Sequence, residues 1–209
     1  MNMQNREPLS FYHEGSRNLQ DRMDSRRIAD RLYETRRKDH FTEVERSIIE
    51  GASMFFLATA DAEGRPDCSV KGGNPGFVRV IDRNALVFPD YDGNGMFRSL
   101  GNISVNPSVA LLFLELGGEG RKLRVNGVAS ITPVSDSSVM LGAKLLVRVT
   151  ALDVFPNCPR YLPHMDMVAP SAYNPRQEYV PPEPFWKSKP DLKEFLPGVR
   201  KETTEAESQ

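Results

Sequence analysis

The chain has 209 residues, a mass of 23.5 kDa, 27 Lys and Arg against 28 Asp and Glu, and a formal net charge of −1. That size predicts one main domain with appendages, and the balanced charge argues against a dedicated nucleic-acid or membrane-surface protein. No apolar run approaches the roughly 20 residues that span a bilayer, and the opening MNMQNREPLSFYHEG has no apolar signal core, so a cytoplasmic protein is expected. Cys68 and Cys158 lie far apart and form neither a CxxC pair nor a disulfide framework, which reads as two reduced, buried thiols.

Residues 1–52 read as a charged helical extension. Met1 to about Asp24 has no clear periodicity. Ser25 has the character of an N-cap, and Ile28, Ala29, Leu32 and Tyr33 then recur on one helical face. Arg26, Arg27, Arg31, Arg36, Arg37 and Lys38 interleave with Asp24, Asp30, Glu34 and Asp39, the pattern of a solvated face rather than an anion-binding arm. A second helix opens at Thr42, with Glu45 completing a capping box, and ends near Gly51.

Residues 53–155 are strand-rich. MFFLATAD, ending at Asp61, leads through a turn at Glu63-Gly64 into PDCSVK (66–71). FVRVID (77–82) and ALVF (85–88) flank Arg83-Asn84, a two-residue hairpin signal. VALLFLEL (109–116) is nearly all apolar and predicts a strand buried on both faces. KLRVNGVASIT (122–132) alternates: Leu123, Val125, Gly127, Ala129 and Ile131 point one way, Lys122, Arg124, Asn126 and Ser130 the other. KLLVRVTALDVF (144–155) closes the set. Six or seven strands with short turns predict a closed antiparallel barrel.

Residues 156–209 change in composition. Nine of the sixteen prolines fall between Pro156 and Pro190, which disfavours regular helices and central strands. Tyr161, Tyr173, Tyr179, Phe185 and Trp186 argue against simple disorder, so an extended arm packed on the barrel or on a partner subunit is expected, with a frayed VRKETTEAESQ tail.

One stretch interrupts the strands: DGNGMFRSLGNISVNP, Asp92 to Pro107. Gly93 and Gly95 allow close backbone approach, Asn94 reads as the cap of a short helix, and Met96, Leu100 and Ile103 share its face until Asn106-Pro107 stops it. A helix N-terminus with a glycine approach presents free N–H groups and the positive end of a dipole, the makings of an anion site. Arg98 and Ser99 lie in the first turn, and an arginine grips phosphate bidentately. Ser69 and Lys71 on one strand, and Lys122 and Arg124 on another, are expected to converge there. His13, His40 and His164 are scattered and give no metal-ligand spacing.

MFFLATADAEGRPDCSVKGG, VFPDYDGNGMFRSLGNISVNPSVALLF and LRVNGVASI, in this order, resemble the pyridoxamine 5'-phosphate oxidase-like family of FMN-binding split barrels. FYHEGSRNLQDR, FPNCPRYLPHM and PFWK are similar to an uncharacterised branch of it rather than to the oxidase. The resemblance implies a mainly β fold with flanking helices, a six- to seven-stranded antiparallel split barrel, and a homodimer that holds FMN at the subunit interface. It implies cofactor contacts at Asp67, Cys68, Ser69, Val70 and Lys71, the counterpart of the family's flavin-lining strand. It also implies contacts at Arg98 and Ser99 at the phosphate, and at Lys122 and Arg124 on the glycine-containing strand. Trp186 is set beside the family's C-terminal aromatic, with a packing role as the alternative. The segments that grip the pyridoxal phosphate have no counterpart in SDSSVMLGA, so the implied function is an FMN-dependent oxidoreductase on another small molecule. A non-catalytic flavin carrier or sensor, and a deazaflavin- or haem-binding relative, are the alternatives. No catalytic residue and no metal ligand is assigned.

Overall fold

A computed structural model describes residues 11–117, 120–134 and 140–197. The N-terminal decapeptide, the VRKETTEAESQ tail expected to fray and part of SDSSVMLGA therefore lie outside the described residues. Seven strands form one antiparallel sheet: β1 (Met54–Ala60), β2 (Pro66–Gly72), β3 (Arg79–Asp82), β4 (Ala85–Asp90), β5 (Ser108–Leu114), β6 (Lys122–Pro133) and β7 (Leu145–Asn157). Their order is β2-β1-β5-β6-β7-β4-β3. β2 and β3 are not paired with one another, so the expected closed barrel is a split one, open between its two edge strands.

The sheet curls because one of its faces is continuously apolar. Phe55 on β1 meets Phe88 on β4 with ring centroids 5.0 Å apart, although β5, β6 and β7 stand between these strands in the sheet. Phe113 on β5 (5.1 Å) and Phe77 (5.9 Å) complete the cluster around Phe55. Leu57, Leu86, Leu111, Leu123, Val125, Val147 and Val149 line the same buried interior. The alternation anticipated on β6 is observed: Leu123, Val125, Gly127 and Ala129 face inward, while Arg124 and Ser130 are exposed. Gly127 sits at a β-bulge, where an added Cβ would lie 2.3 Å from the Thr150 carbonyl oxygen.

β5 corrects the expectation of burial on both faces. Val109, Leu111 and Phe113 are buried, whereas Ala110, Leu112 and Leu114 are only half-buried. Leu112 lies in register with Phe56 on β1 and Arg124 on β6, and Phe56 with the exposed Val70 on β2. An apolar strip therefore runs across the outer face of the sheet.

Among the described residues, three helices precede the sheet. α1 (Glu14–Arg22) lies where no periodicity was legible; it is almost wholly polar, and His13 caps it by accepting the Ser16 N–H. α2 (Arg26–Arg36) follows Ser25 as predicted, but Ile28 and Leu32 remain exposed, so its apolar face is not core. The hairpin is pinned by Phe11, whose ring lies 5.2 Å from Tyr33 and 5.3 Å from Phe155, and by Arg37, which donates to Asp153 at 2.7 Å. α3 (Glu43–Gly51) begins with the predicted capping box, the Thr42 N–H donating to Glu45 at 2.9 Å. Ile48 and Ile49 bury against the barrel, and Glu50 accepts the Val80 N–H, fixing α3 to β3.

The C-terminal segment packs on its own barrel. The Gly117 N–H donates to the Met165 carbonyl, Asn74 pairs with Asn174 and with the Pro175 carbonyl, and Lys187 reaches Asp92. Regular structure is not wholly excluded from it: a 3-10 turn spans Phe185–Ser188, and a short helix, α5, spans Pro190–Lys193. Pro190 stands at its start, where a missing N–H costs nothing. No helix among the described residues is long and apolar enough to cross a membrane.

Candidate functional site

The short helix of the Asp92–Pro107 stretch, α4, spans Arg98–Val105. Asn94 is not its cap: Asn94 accepts the Met96 N–H, and Phe97, in the left-handed region at φ 49°, takes the N-cap position. Gly95 precedes it at φ 76°. Met96 stands outside the helix and is exposed, while Leu100 and Ile103 are buried as predicted. Asn102 donates to Thr59 at 3.0 Å and Asn106 to the Asp61 carbonyl at 3.3 Å, so α4 is tied to β1. The helix stops at Asn106, before Pro107.

This anchoring sets the first turn of α4 against β2. Ser69 and Ser99 hydroxyls are 3.0 Å apart, Arg98 Nε donates to Asp67 Oδ1 at 3.2 Å, and the Ser99 hydroxyl donates to Asp67 Oδ2 at 3.4 Å. Ser99 is buried, whereas the Arg98 side chain is 63% exposed, and its two Nη groups take no partner among the described residues. The amides of a helix's first turn have no carbonyl upstream to bond. Strand alternation decides which of the five predicted β2 residues take part. Asp67, Ser69 and Lys71 pair in register with Thr59, Leu57 and Phe55, so they lie on the inner face beside α4. Cys68 and Val70 point to the opposite face and are exposed. Cys158 is exposed too, so the expectation of buried thiols is corrected for both cysteines.

Lys71 lies near Asp90, the last residue of β4. Burial raises the Asp90 carboxyl above its usual range, and Lys71 and Lys144 only partly offset this. Asp92 is the reverse case. Lys144 and Lys187 each donate to it at 2.5 Å and hold its carboxyl below the usual range. The Asp90–Asp92–Lys144–Lys187 group was not anticipated from sequence, because its members lie on three separate stretches with no periodic signal linking them. Trp186 is half-buried beside Lys187, whose Nζ stands 5.7 Å from the indole.

Lys122 and Arg124 do not join this cluster within one chain. They point to the outer face of β6, in register with Leu114 and Leu112, and β1 and β5 separate β6 from β2. The expected convergence is therefore corrected for the single chain by the period of two along β6. His164 is exposed, with Nε2 3.3 Å from Asp166. No grouping of three metal-ligating side chains occurs among the described residues.

A family profile described as pyridoxamine 5'-phosphate oxidase matches residues 41–156, just over half of the chain. The chain belongs to the pyridoxamine 5'-phosphate oxidase family. The matched region holds α3, the seven strands and α4, and thus the whole Arg98 cluster. A putative pyridoxamine 5'-phosphate oxidase from Lactobacillus delbrueckii is similar at 21% identity, over 58% of this chain and 99% of that one, with a TM-score of 0.46. HupZ from Group A Streptococcus is similar at 18% identity, over 56% and 93% of the two chains, with a TM-score of 0.44. An FMN-binding protein from Syntrophomonas wolfei is similar at 14% identity, over 68% and 97%, with a TM-score of 0.41. Likenesses this remote do not say what the chain binds. No curated protein matches it.

Proposed function

We propose that the chain is an FMN-binding flavoprotein acting as an oxidoreductase on a small molecule other than pyridoxamine phosphate. The observation that carries this reading is the cluster at β2 and α4. Two hydroxyls, two unused guanidinium nitrogens and the free amides of a helix's first turn meet at one edge of the sheet. Such a donor set fits a terminal phosphate. Asp67 holds the Arg98 side chain through Nε and leaves its Nη edge to an anion. Lys71, one strand residue pair further on, supplies a cation beside the half-buried Asp90. When bound, the flavin supplies hydride and electron transfer, and the chain supplies position and electrostatics.

The same reading makes the protein a homodimer. Phe56, Val70, Leu112 and Leu114 leave an apolar strip on the outer face, next to Lys122 and Arg124. A second copy seated on this strip brings its own Lys122 and Arg124 toward the first chain's flavin, which one chain alone does not achieve. In this assembly Cys68 and Val70 line the interface, and Trp186 stands beside Lys187 and Asp92 as an aromatic wall of the flavin site.

The test is direct. Purified protein should show the absorption bands of oxidised flavin; a Soret band would instead select haem. Arg98→Ala should weaken FMN about ten- to a hundredfold, the loss of a charge-assisted contact of roughly 1.5–3 kcal/mol, and barely change riboflavin. Equal losses for both ligands would make Arg98 a structural residue and sink the phosphate assignment.

A further inference from the structure

A second concavity, of about 450 Å³, opens where α2 and α3 face the start of β6 and the end of β7. Its volume lies in the range of small-molecule sites. Ile48 and Leu123, both buried, form part of an apolar floor together with Pro156. Arg36, Lys38, Arg121 and Lys122 stand around it. The chain itself uses two of these cations: Lys38 donates to the buried Glu45 at 2.9 Å, and Arg121 pairs with Glu115. The side chains of Arg36 and Lys122 take no partner among the described residues. Asn157 also lines the cavity, directly across the ladder from Lys122, and its Oδ1 is buried without a hydrogen-bond partner. A buried acceptor left unpaired is costly, and no group among the described residues relieves it.

We propose that this cavity binds a small organic carboxylate with an apolar body and an N–H or O–H donor. The floor takes the apolar body, Arg36 and Lys122 take the carboxylate, and Asn157 Oδ1 accepts from the donor. All the walls come from one chain; Lys122 also serves the flavin reading, so the inference is tested at Arg36 and Asn157, which have no part in that reading.

Three probes separate the requirements on the full chain, by calorimetric titration without added flavin. Indole-3-acetate has all three features, indole-3-ethanol lacks the carboxylate, and 1-naphthylacetate lacks the N–H. Indole-3-acetate should bind, and each of the other two about tenfold or more weakly. Arg36→Glu should lower indole-3-acetate affinity at least about tenfold, and Arg36→Gln less, with thermal midpoint and FMN affinity unchanged. Asn157→Leu should abolish the preference for indole-3-acetate over 1-naphthylacetate. No binding of any probe at about 1 mM, equal binding of all three, or indifference to the charge at position 36 overturns the proposal. Absence of FMN binding would sink the flavin reading alone.

Discussion

Beside α4, each cation has a carboxylate close by: Arg98 has Asp67, Lys144 and Lys187 share Asp92, and Lys71 lies near Asp90. On the outer face of β6 and at the end of α2, the side chains of Lys122, Arg124 and Arg36 have no such partner among the described residues. The first region is held in place before any ligand arrives, and an incoming anion finds the donors that internal pairing has left over. These three cations are not fixed by internal pairing, and among the described residues no carboxylate answers them. Preorganisation and availability are thus divided between the two regions, along the strands by a period of two.

The largest effect comes from breaking what both faces share. Gly127→Val places side-chain atoms against the Thr150 carbonyl, so it should cost about 3 kcal/mol or more and lower the denaturant midpoint. Both regions should be lost together. A wild-type midpoint would mean that the β6–β7 bulge relaxes freely.

Next comes the link across the proposed dimer. Arg98→Ala and Lys122→Ala should each weaken FMN. If the two residues serve one site from different chains, refolding an equal mixture should restore wild-type affinity at about a quarter of the sites. Titration that finds no tight class would place both residues in the same chain's site or dissolve the dimer.

A smaller effect belongs to the wall of the second cavity. Burial opposes ionisation of Glu45, but hydrogen bonds from Thr42 and Lys38 outweigh it and leave the carboxyl below its usual range. Its folded value is depressed, so its stabilisation is present above the ordinary glutamate value of about 4.3 and fades as pH falls through the folded value. Glu45→Gln should therefore lower stability by about 1–2 kcal/mol at pH 7, and the gap to wild type should close in acid. A gap that persists in acid would assign the loss to packing.

The smallest effect concerns the arm. Asp92→Asn should cost under about 1 kcal/mol, because the pairs are half exposed, yet cleavage within residues 158–184 should quicken in limited proteolysis. Unchanged cleavage would show that Asn74 and Pro175 hold the arm without help from Lys187.

The strands were legible because alternation and apolar runs are local. MFFLATAD, PDCSVK and KLRVNGVASIT fold where their patterns place them, and the Thr42–Glu45 box opens α3. What failed was information that no local window carries. VALLFLEL reads as doubly buried because its outer residues are apolar, although a single chain leaves them half-covered. Helix α1 has no buried residue and so no apolar stripe to read. In the candidate site, Arg98, Ser99, Ser69, Asp67 and Lys71 were legible as members, but not which strand residues share a face with α4. The resemblance named Lys122 and Arg124 without saying that they occupy the other side of the sheet. Asp92 with Lys144 and Lys187 was invisible because its pairings span 52 and 95 positions.

The order β2-β1-β5-β6-β7-β4-β3 also has a consequence for cooperativity. β1–β2 and β3–β4 are local hairpins and β5–β6–β7 is a local meander, but β1 reaches β5 only after β2, β3, β4 and α4 have been traversed. The bonds from Asp67 and Ser69 to Arg98 and Ser99 therefore join segments separated by a loop that must close, and loop closure costs entropy before any contact repays it. A ligand that bridges β2 and α4 acts on that long-range closure rather than on either piece. By mass action it adds about 2.7 kcal/mol at a hundred times its Kd, spread over the whole barrel instead of the strand it touches.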